Sequence, residues 1–418
     1  MTGRRIRTRG QPVALAAVEA MLASHVPHAL LLTGPAGVGK TTLALDIAVA
    51  LLCRAGDPAA RPCGTCRACR AVDHGNHPDL HRLGPAGPGG GIGMGGRDER
   101  GIRDLVAELA LLPVEGGARV VIIEGAHRMS EDAQSAFLKT LEEPPSGAVL
   151  ILCADDEERL LPTIRSRCVR LRLGPVPRRD VEGILVDRGL TDATQAARLA
   201  RIAGGRPGLA LAYAAAPDAA IVRAEIARTI LDLATESRAA RLAGVRDLAG
   251  RAAELAKALD GGAARVGEAQ GVAAPQPGRG GRRGARGPAG GAADPSAGGP
   301  ASAGAMAGAD APSSDAAATE AAEGRAAVRV PTSERRAAAL ALVGVWRDVM
   351  RDLAAVTAGE PRLVRDTELL EDLERAARRT DGRAVGSALR RLDVAGERLE
   401  GNVSPELVLD VLALRMHA

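Results

Sequence analysis

Gly34-Pro35-Ala36-Gly37-Val38-Gly39-Lys40-Thr41-Thr42 has the spacing of a loop that wraps phosphates. Its glycines let successive backbone N–H groups curl toward an anion. Its lysine reaches the terminal phosphates, and the hydroxyl after it ligates Mg²⁺. The helix expected to open at Lys40 adds the positive end of its dipole. Residues Gly34 to Thr42 are therefore read as an ATP-binding loop, with Lys40 on phosphate and Thr41 on Mg²⁺. The bland alternative is a turn kept for shape after its ligand was lost. Hydrolysis needs more: an acidic residue ending a second buried strand, then a carboxylate to polarise the attacking water. The apolar run Val120-Val121-Ile122-Ile123 ends in Glu124-Gly125. Glu124 suits the metal, but Gly125 has no carboxylate, so the sequence supports binding far better than turnover.

Four of the six cysteines are clustered, as Cys53 followed by Cys63-x-x-Cys66-x-x-Cys69. Two-residue gaps let neighbouring thiolates converge, and four thiolates suit a closed tetrahedral Zn²⁺ site. An iron–sulfur cluster also takes cysteines, but the long first gap and the lack of other redox motifs favour structural zinc. His74, His77 and His81 are read as loop residues or as neighbours of the ligands, because four thiolates already complete the site. Cys153 lies in a buried run and reads as a small core residue.

Elements of two kinds must carry these groups. Ala29–Leu32, Val120–Ile123 and Val149–Leu152 are short, fully apolar runs, separated by the helical patterns Thr41–Leu52 and Glu131–Leu141. That alternation predicts a parallel sheet with helices on both faces. From Arg178 onward helical periodicity takes over, as in Asp180–Arg188 and Asp192–Ile202. Between Ala273 and Arg325 the only large apolar residue is Met306. Such a stretch buries too little surface to offset its ordering entropy and reads as a flexible linker, its Arg279, Arg282, Arg283 and Arg286 solvated. Helical spacing resumes with Leu340, Val343, Trp346 and Met350, where Trp346 is a core anchor. Gly84–Gly96 reads as a disordered loop.

Composition limits the function. With one Trp, one Tyr and one Phe in 418 residues, the chain has no aromatic row for stacking single-stranded bases and no cage for cationic ligands. A net charge of +4 does not by itself announce a nucleic-acid binder. The sequence predicts no signal peptide and no membrane span, and hence a cytoplasmic protein with reduced thiols.

The phosphate loop, the four cysteines, His77-Pro-Asp79-Leu80, Leu138–Pro145 and Thr163-Ile-Arg-Ser166-Arg167-Cys168 together resemble the clamp-loader ATPases of bacterial DNA polymerase III. The likeness spans residues 10–210, and Asn402–Leu414 more weakly resembles the family's helical collar. The resemblance implies α/β plus all-α architecture. On that resemblance residues 1–175 are expected to form an AAA+ domain, a P-loop parallel sheet with a zinc module inserted at 53–69. Residues 176–262 are expected to form a helical lid, 263–330 the disordered Gly/Ala/Pro-rich linker and 331–418 the C-terminal helical collar for oligomerisation. Implied partners are gamma/tau motor and delta subunits in a hetero-pentamer, the sliding clamp, and primed DNA held through its backbone.

Within that family the motor carries adjacent Asp and Glu where this chain has Glu124-Gly125, and an Arg sensor where Gly204-Gly205-Arg206-Pro207-Gly208 has Pro207 in register. Both differences favour the stator subunit, which anchors the collar and has no polymerase chemistry of its own. The Ser166-Arg167-Cys168 motif implies that Arg167 enters the neighbouring motor's ATP site as a trans-acting finger; a surface ion pair is the plainer reading. Alternatives are a gamma/tau-like motor, a free-standing P-loop ATPase, and a zinc-ribbon nucleic-acid module.

Overall fold

The computed structural model describes residues 6–85, 90–96, 100–115, 117–269, 330–401 and 403–416. The linker arginines and most of the predicted linker, together with Asn402, lie outside them.

Short apolar runs become strands buried on both faces. The chain enters through α1 (Pro12–Ala23), β1 (Ala29–Thr33) and α2 (Lys40–Leu52), then α3 (Arg67–Asp73), β2 (Leu80–Leu83) and α4 (Ile102–Leu109). It continues through β3 (Arg119–Ile123), α5 (Glu131–Glu142), β4 (Ala148–Ala154), α6 (Pro162–Arg167) and β5 (Val169–Arg172). The five strands are parallel in the order β2-β3-β4-β1-β5. β1, β3 and β4 are buried at every position, as strands covered by helices on both faces require. One core layer joins the sheet to α2 and the cysteine segment; the other joins it to α4, α5 and α6 around Phe137. Each fully buried Leu or Ile here is worth roughly 1.5–3 kcal/mol.

β2 and β5 were not evident from apolar runs, because as edge strands they carry polar residues (Leu-His-Arg-Leu and Val-Arg-Leu-Arg). The expectation of a disordered Gly84–Gly96 loop is corrected at its second half. Buried Ile92 accepts from the Ser130 N–H at 3.0 Å and donates its own to the Arg128 carbonyl at 2.9 Å. One apolar anchor among glycines is enough to tie that stretch to the sheet's carboxyl edge.

The helices that follow are α7 (Arg178–Asp187), α8 (Ala193–Ala203), α9 (Pro207–Ala215), α10 (Pro217–Leu233) and α11 (Arg238–Ala269). After the undescribed stretch come α12 (Thr332–Thr357), α13 (Leu370–Ala377), α14 (Gly382–Glu400) and α15 (Pro405–Arg415). Asp192 caps α8 by accepting the Gln195 N–H at 2.8 Å, and Gly204 ends it in a left-handed conformation.

α11 corrects the reading of 263–330 as linker. It stays helical to Ala269 and packs against α9, α10, α12 and α15. Its apolar stripe continues through Leu255, Leu259 and Val266, so tertiary burial carries the helix past its Gly-Gly pair. The helices before and after the undescribed stretch share one core, which holds Tyr213 and Trp346. All three aromatic side chains of the protein are therefore buried.

Candidate functional site

The phosphate loop leaves the carboxyl end of β1, where ligands bind open parallel sheets. A Cβ at Gly34 would lie 2.1 Å from the Leu173 carbonyl oxygen, so this position admits only glycine. Gly39 caps α2 with φ of 105°, the left-handed region that favours glycine. Lys40 is only 6% exposed. Its Nζ donates to the carbonyls of Gly34 (2.7 Å) and Pro35 (2.8 Å) and pairs with Asp155 Oδ1 at 2.6 Å.

Ala36, Gly37, Val38, Gly39, Lys40, Thr41, Thr42 and Glu124 line one cavity of about 500 Å³, within the range of small-molecule sites. Two other parts of the fold close it. Buried Asp46 on α2 accepts from the Thr8 N–H (2.9 Å), the Thr8 hydroxyl (2.6 Å) and the Arg7 N–H (3.2 Å), holding the N-terminal segment at the rim. On the opposite side the Gly208 N–H at the start of α9 donates to the Gly37 carbonyl at 2.9 Å. Ile184 and Arg188 of the α7 region also face the cavity.

Arg206, one residue before α9, is turned away. Its Nε donates to the Ala203 carbonyl at 2.8 Å, and Nη2 lies 3.4 Å from Asp348 of α12. It is not among the described residues lining the cavity.

Glu124 directly follows β3, and its Oε2 accepts from the Thr41 hydroxyl at 3.4 Å. Its other oxygen is held by Arg82 of β2 through Nε at 3.0 Å and Nη2 at 2.5 Å. Gly125 has φ of 63°, and a Cβ there would sit 3.1 Å from Pro85 Cγ. The backbone that removes a second carboxylate is thus a left-handed turn suited to glycine.

Sequence reasoning missed Arg82, Asp155 and His127, which share this end of the sheet. His127 is buried, and burial lowers its pKa. Its Nδ1 accepts the Asp155 N–H at 3.2 Å, which fixes the neutral tautomer with the proton on Nε2. Asp155 follows an apolar run as Glu124 does, which was a usable signal. What the sequence could not supply is that β4 lies beside β1 and β2 beside β3.

The four cysteines converge. One sulfur from each of Cys53, Cys63, Cys66 and Cys69 lies within 4.8 Å of all the others. Sγ separations are 3.5 Å for Cys53–Cys63, 4.0 Å for Cys53–Cys66 and 3.9 Å for Cys63–Cys69. Four sulfurs at about 2.3 Å from one tetrahedral Zn²⁺ stand about 3.8 Å apart. Disulfide sulfurs would be about 2 Å apart. The cluster therefore fits zinc.

Backbone N–H groups support the thiolates. Cys66 N–H points to Cys63 Sγ and Cys69 N–H to Cys66 Sγ, each at 3.4 Å. Backbone donors at Thr65 and Cys66 lower the Cys63 thiol to about 5. Burial raises Cys69. Cys153 is buried in β4, and burial pushes its thiol up.

His77 and Asp79, met in the sequence as family markers, are structural. Asp79 is fully buried and accepts the N–H groups of Val114 (2.6 Å) and Glu115 (2.9 Å), with Arg119 at 3.5 Å. The same Arg119 donates to the carbonyls of Glu108, Leu111 and Leu112, so this pair closes the turn between α4 and β3. Burial lowers the His77 pKa, with Glu115 at 3.7 Å opposing it. His81 pairs with Glu108 at 2.8 Å.

Arg167 ends α6 on a partly exposed surface. It donates to Glu142 Oε1 at 2.5 Å and to the Thr163 carbonyl at 3.0 Å. It is not among the described residues lining this chain's own cavity. No helix of the described residues is long and apolar enough to cross a membrane.

Residues 10–177 match a protein family described as DNA polymerase III, delta subunit. Over 182 residues the chain is 40% identical to DNA polymerase III subunit delta' of Pseudomonas aeruginosa, covering 43% of this chain and 53% of that protein. It is 36% identical over 142 residues to subunit delta' of Haemophilus influenzae, covering 34% of this chain and 41% of that one. Similarity to subunit gamma/tau of Mycobacterium tuberculosis is 32% over 166 residues, 40% of this chain and 28% of the relative. The chain spans about half the length, or less, of the curated relatives it matches.

Proposed function

From the match of residues 10–177 to a family described as DNA polymerase III, delta subunit, and their likeness to delta' subunits, we propose that this chain is the stator subunit of a bacterial clamp loader. It holds nucleotide without efficient turnover, anchors a helical collar beside gamma/tau motors and a delta subunit, and offers Arg167 to an adjacent motor's ATP. The assembly so formed loads the sliding clamp onto primed DNA.

The observation that carries the stator over the motor is at the end of β3. Glu124 is already paired with Arg82, and Gly125 sits in a left-handed turn where a polarising carboxylate would be strained. A chain built this way has no carboxylate at the position after Glu124, where one would polarise the attacking water. Its phosphate loop keeps the glycines, Lys40 and Thr41, so nucleotide binding is retained in the proposal, with Mg²⁺ near Thr41 and Glu124. The four cysteines would hold a structural Zn²⁺ that braces α3 against α2. Division into domains at 1–175, 176–262 and 331–418 belongs to the same proposal, although the helical parts share a core.

What supports the finger reading is that Arg167 is partly exposed and is not among the lining of its own chain's cavity. Among the described residues its hydrogen bonds go to the exposed Glu142 and the Thr163 carbonyl. A guanidinium delivered in trans to a transferring phosphoryl group is worth roughly 10³–10⁵ in rate at that site. The test is ATPase of the purified chain alone and of a loader reconstituted with gamma/tau and delta, with and without Arg167→Ala. Expected are negligible turnover alone, DNA-stimulated turnover in the assembly, and a marked loss with R167A while assembly persists. Unchanged stimulated ATPase in R167A would remove the finger. Robust turnover by the isolated chain would favour a motor or a free-standing ATPase.

A further inference from the structure

The ammonium of Lys40 is saturated by the chain itself. It has three protons to donate, and it faces the Gly34 carbonyl, the Pro35 carbonyl and Asp155 Oδ1 at 2.7, 2.8 and 2.6 Å. The third of these is a full negative charge at the point where Lys40 would meet the end of a polyphosphate. We propose that Asp155 is a selectivity residue that discriminates against a third phosphate, so that the cavity takes a nucleoside diphosphate in preference to a triphosphate. This inference rests on the reading of Gly34–Thr42 as a nucleotide site.

Asp155 is held in place from two sides. Its N–H donates to His127 Nδ1 at 3.2 Å, and its Oδ2 lies 3.9 Å from the Nε2 of the same ring. The only other carboxylate lining the cavity among the described residues, Glu124, is balanced by Arg82 at 2.5 Å. Asp155 instead pairs at 2.6 Å with Lys40, the residue a terminal phosphate needs. A diphosphate can take the N–H groups of the loop and leave the Lys40–Asp155 pair in place. A triphosphate must either break that pair or set its γ-phosphate against the carboxylate. Like charges at such contact distances in a partly buried site repel strongly enough to cost about tenfold or more in affinity. Arg7, Arg9, Arg128 and Arg188 also line the cavity, and Arg128 feels the charge of Asp155, but among the described residues none of the four hydrogen-bonds or ion-pairs with Asp155 as Lys40 does.

The test uses the full chain titrated with ADP and with ATP, each with Mg²⁺, by calorimetry, beside the variants Asp155→Asn and Asp155→Ala. The Asp155 side chain is 41% exposed, so neither substitution should unfold the domain, and circular dichroism checks this. The unaltered chain is expected to bind ADP about tenfold or more tightly than ATP, and D155N to bring ATP within about threefold of ADP. ATP binding as tight as ADP in the unaltered chain overturns the proposal, as does an unchanged ratio in D155N. Loss of ATP affinity in D155N also overturns it, because Asp155 would then be helping the triphosphate. If the unaltered chain takes neither nucleotide but D155N takes ATP, the diphosphate preference is overturned, since Asp155 would then exclude nucleotide altogether. If none of the three chains binds either nucleotide, the nucleotide reading itself fails with it, an outcome distinct from binding with the wrong preference.

Discussion

Replacing Arg223 by Met removes one half of an ion pair that is out of water on both sides. Arg223 on α10 is 2% exposed and Asp366 is 3% exposed, with Nη1 2.5 Å from Oδ2; Asp348 lies 3.9 Å from the other nitrogen. Charge centres about 4 Å apart at an effective dielectric of about 20 attract by about 4 kcal/mol. Desolvation of both groups offsets much of that, so the intact pair adds little net stability. Breaking it is another matter, since an uncompensated buried charge costs about 3–5 kcal/mol.

R223M is therefore expected to destabilise by about 3–5 kcal/mol. Asp366→Leu should cost less, because Arg223 keeps Asp348. Arg223→Met with Asp366→Leu should recover most of the loss and give a coupling energy of about 2 kcal/mol or more. The assay is urea unfolding followed by fluorescence of Trp346, the chain's only tryptophan, buried in the same core as α10. Single variants within about 1 kcal/mol of the unaltered chain, or a double variant equal to the sum of the singles, would refute the reasoning. The pair matters because Arg223 precedes the undescribed stretch and Asp366 follows it, so it ties the two helical regions into one body.

Two further outcomes are expected. The purified chain should carry zinc that is lost in Cys66→Ser, measured by metal analysis. Chelation should then lower the thermal midpoint without shifting the Trp346 transition, since the cysteines pack on the sheet's core and not on the helical one; a zinc-free chain of unchanged stability would contradict this. Asp79→Asn should destabilise by roughly 2–3 kcal/mol, the scale of hydrogen bonds to a charged acceptor. The N–H groups of Glu115 and Val114 and the charge of Arg119 overcome the opposing effect of burial, so the folded pKa of Asp79 lies below its ordinary value. Its contribution is then present above the ordinary carboxylate value of about 4 and disappears as pH falls through the lower folded value. Thermal melts of both chains should accordingly converge in strong acid, and a gap that stays constant with pH would count against this account.

The parts of the fold that could be read ahead were those with strong local signals. Four-residue apolar runs announced β1, β3 and β4, and glycine spacing announced the turn into α2. The cysteine spacing announced the cluster. Edge strands β2 and β5 were invisible because each is covered on one side only and mixes Arg with Leu. The end of α11 was misjudged because Gly261 and Gly262 weaken any helix considered alone, while the alanines around them, though good helix formers, show too little apolar surface to announce a buried face. Packing against α9, α10, α12 and α15 supplies what propensity lacks.

The chemistry of the phosphate loop, the thiolate set and the missing carboxylate at Gly125 were all determined by residue type at short spacing, since each concerns neighbours along the chain. Charge balance at the same site was decided only by the tertiary structure. Lys40 meets Asp155 and Glu124 meets Arg82 because β4 lies beside β1 and β2 beside β3. A sequence holds no record of which strands become neighbours until burial and hydrogen bonding select an order. Coulomb energy, which falls with distance in space and not with separation along the chain, is therefore assigned only when the sheet is assembled.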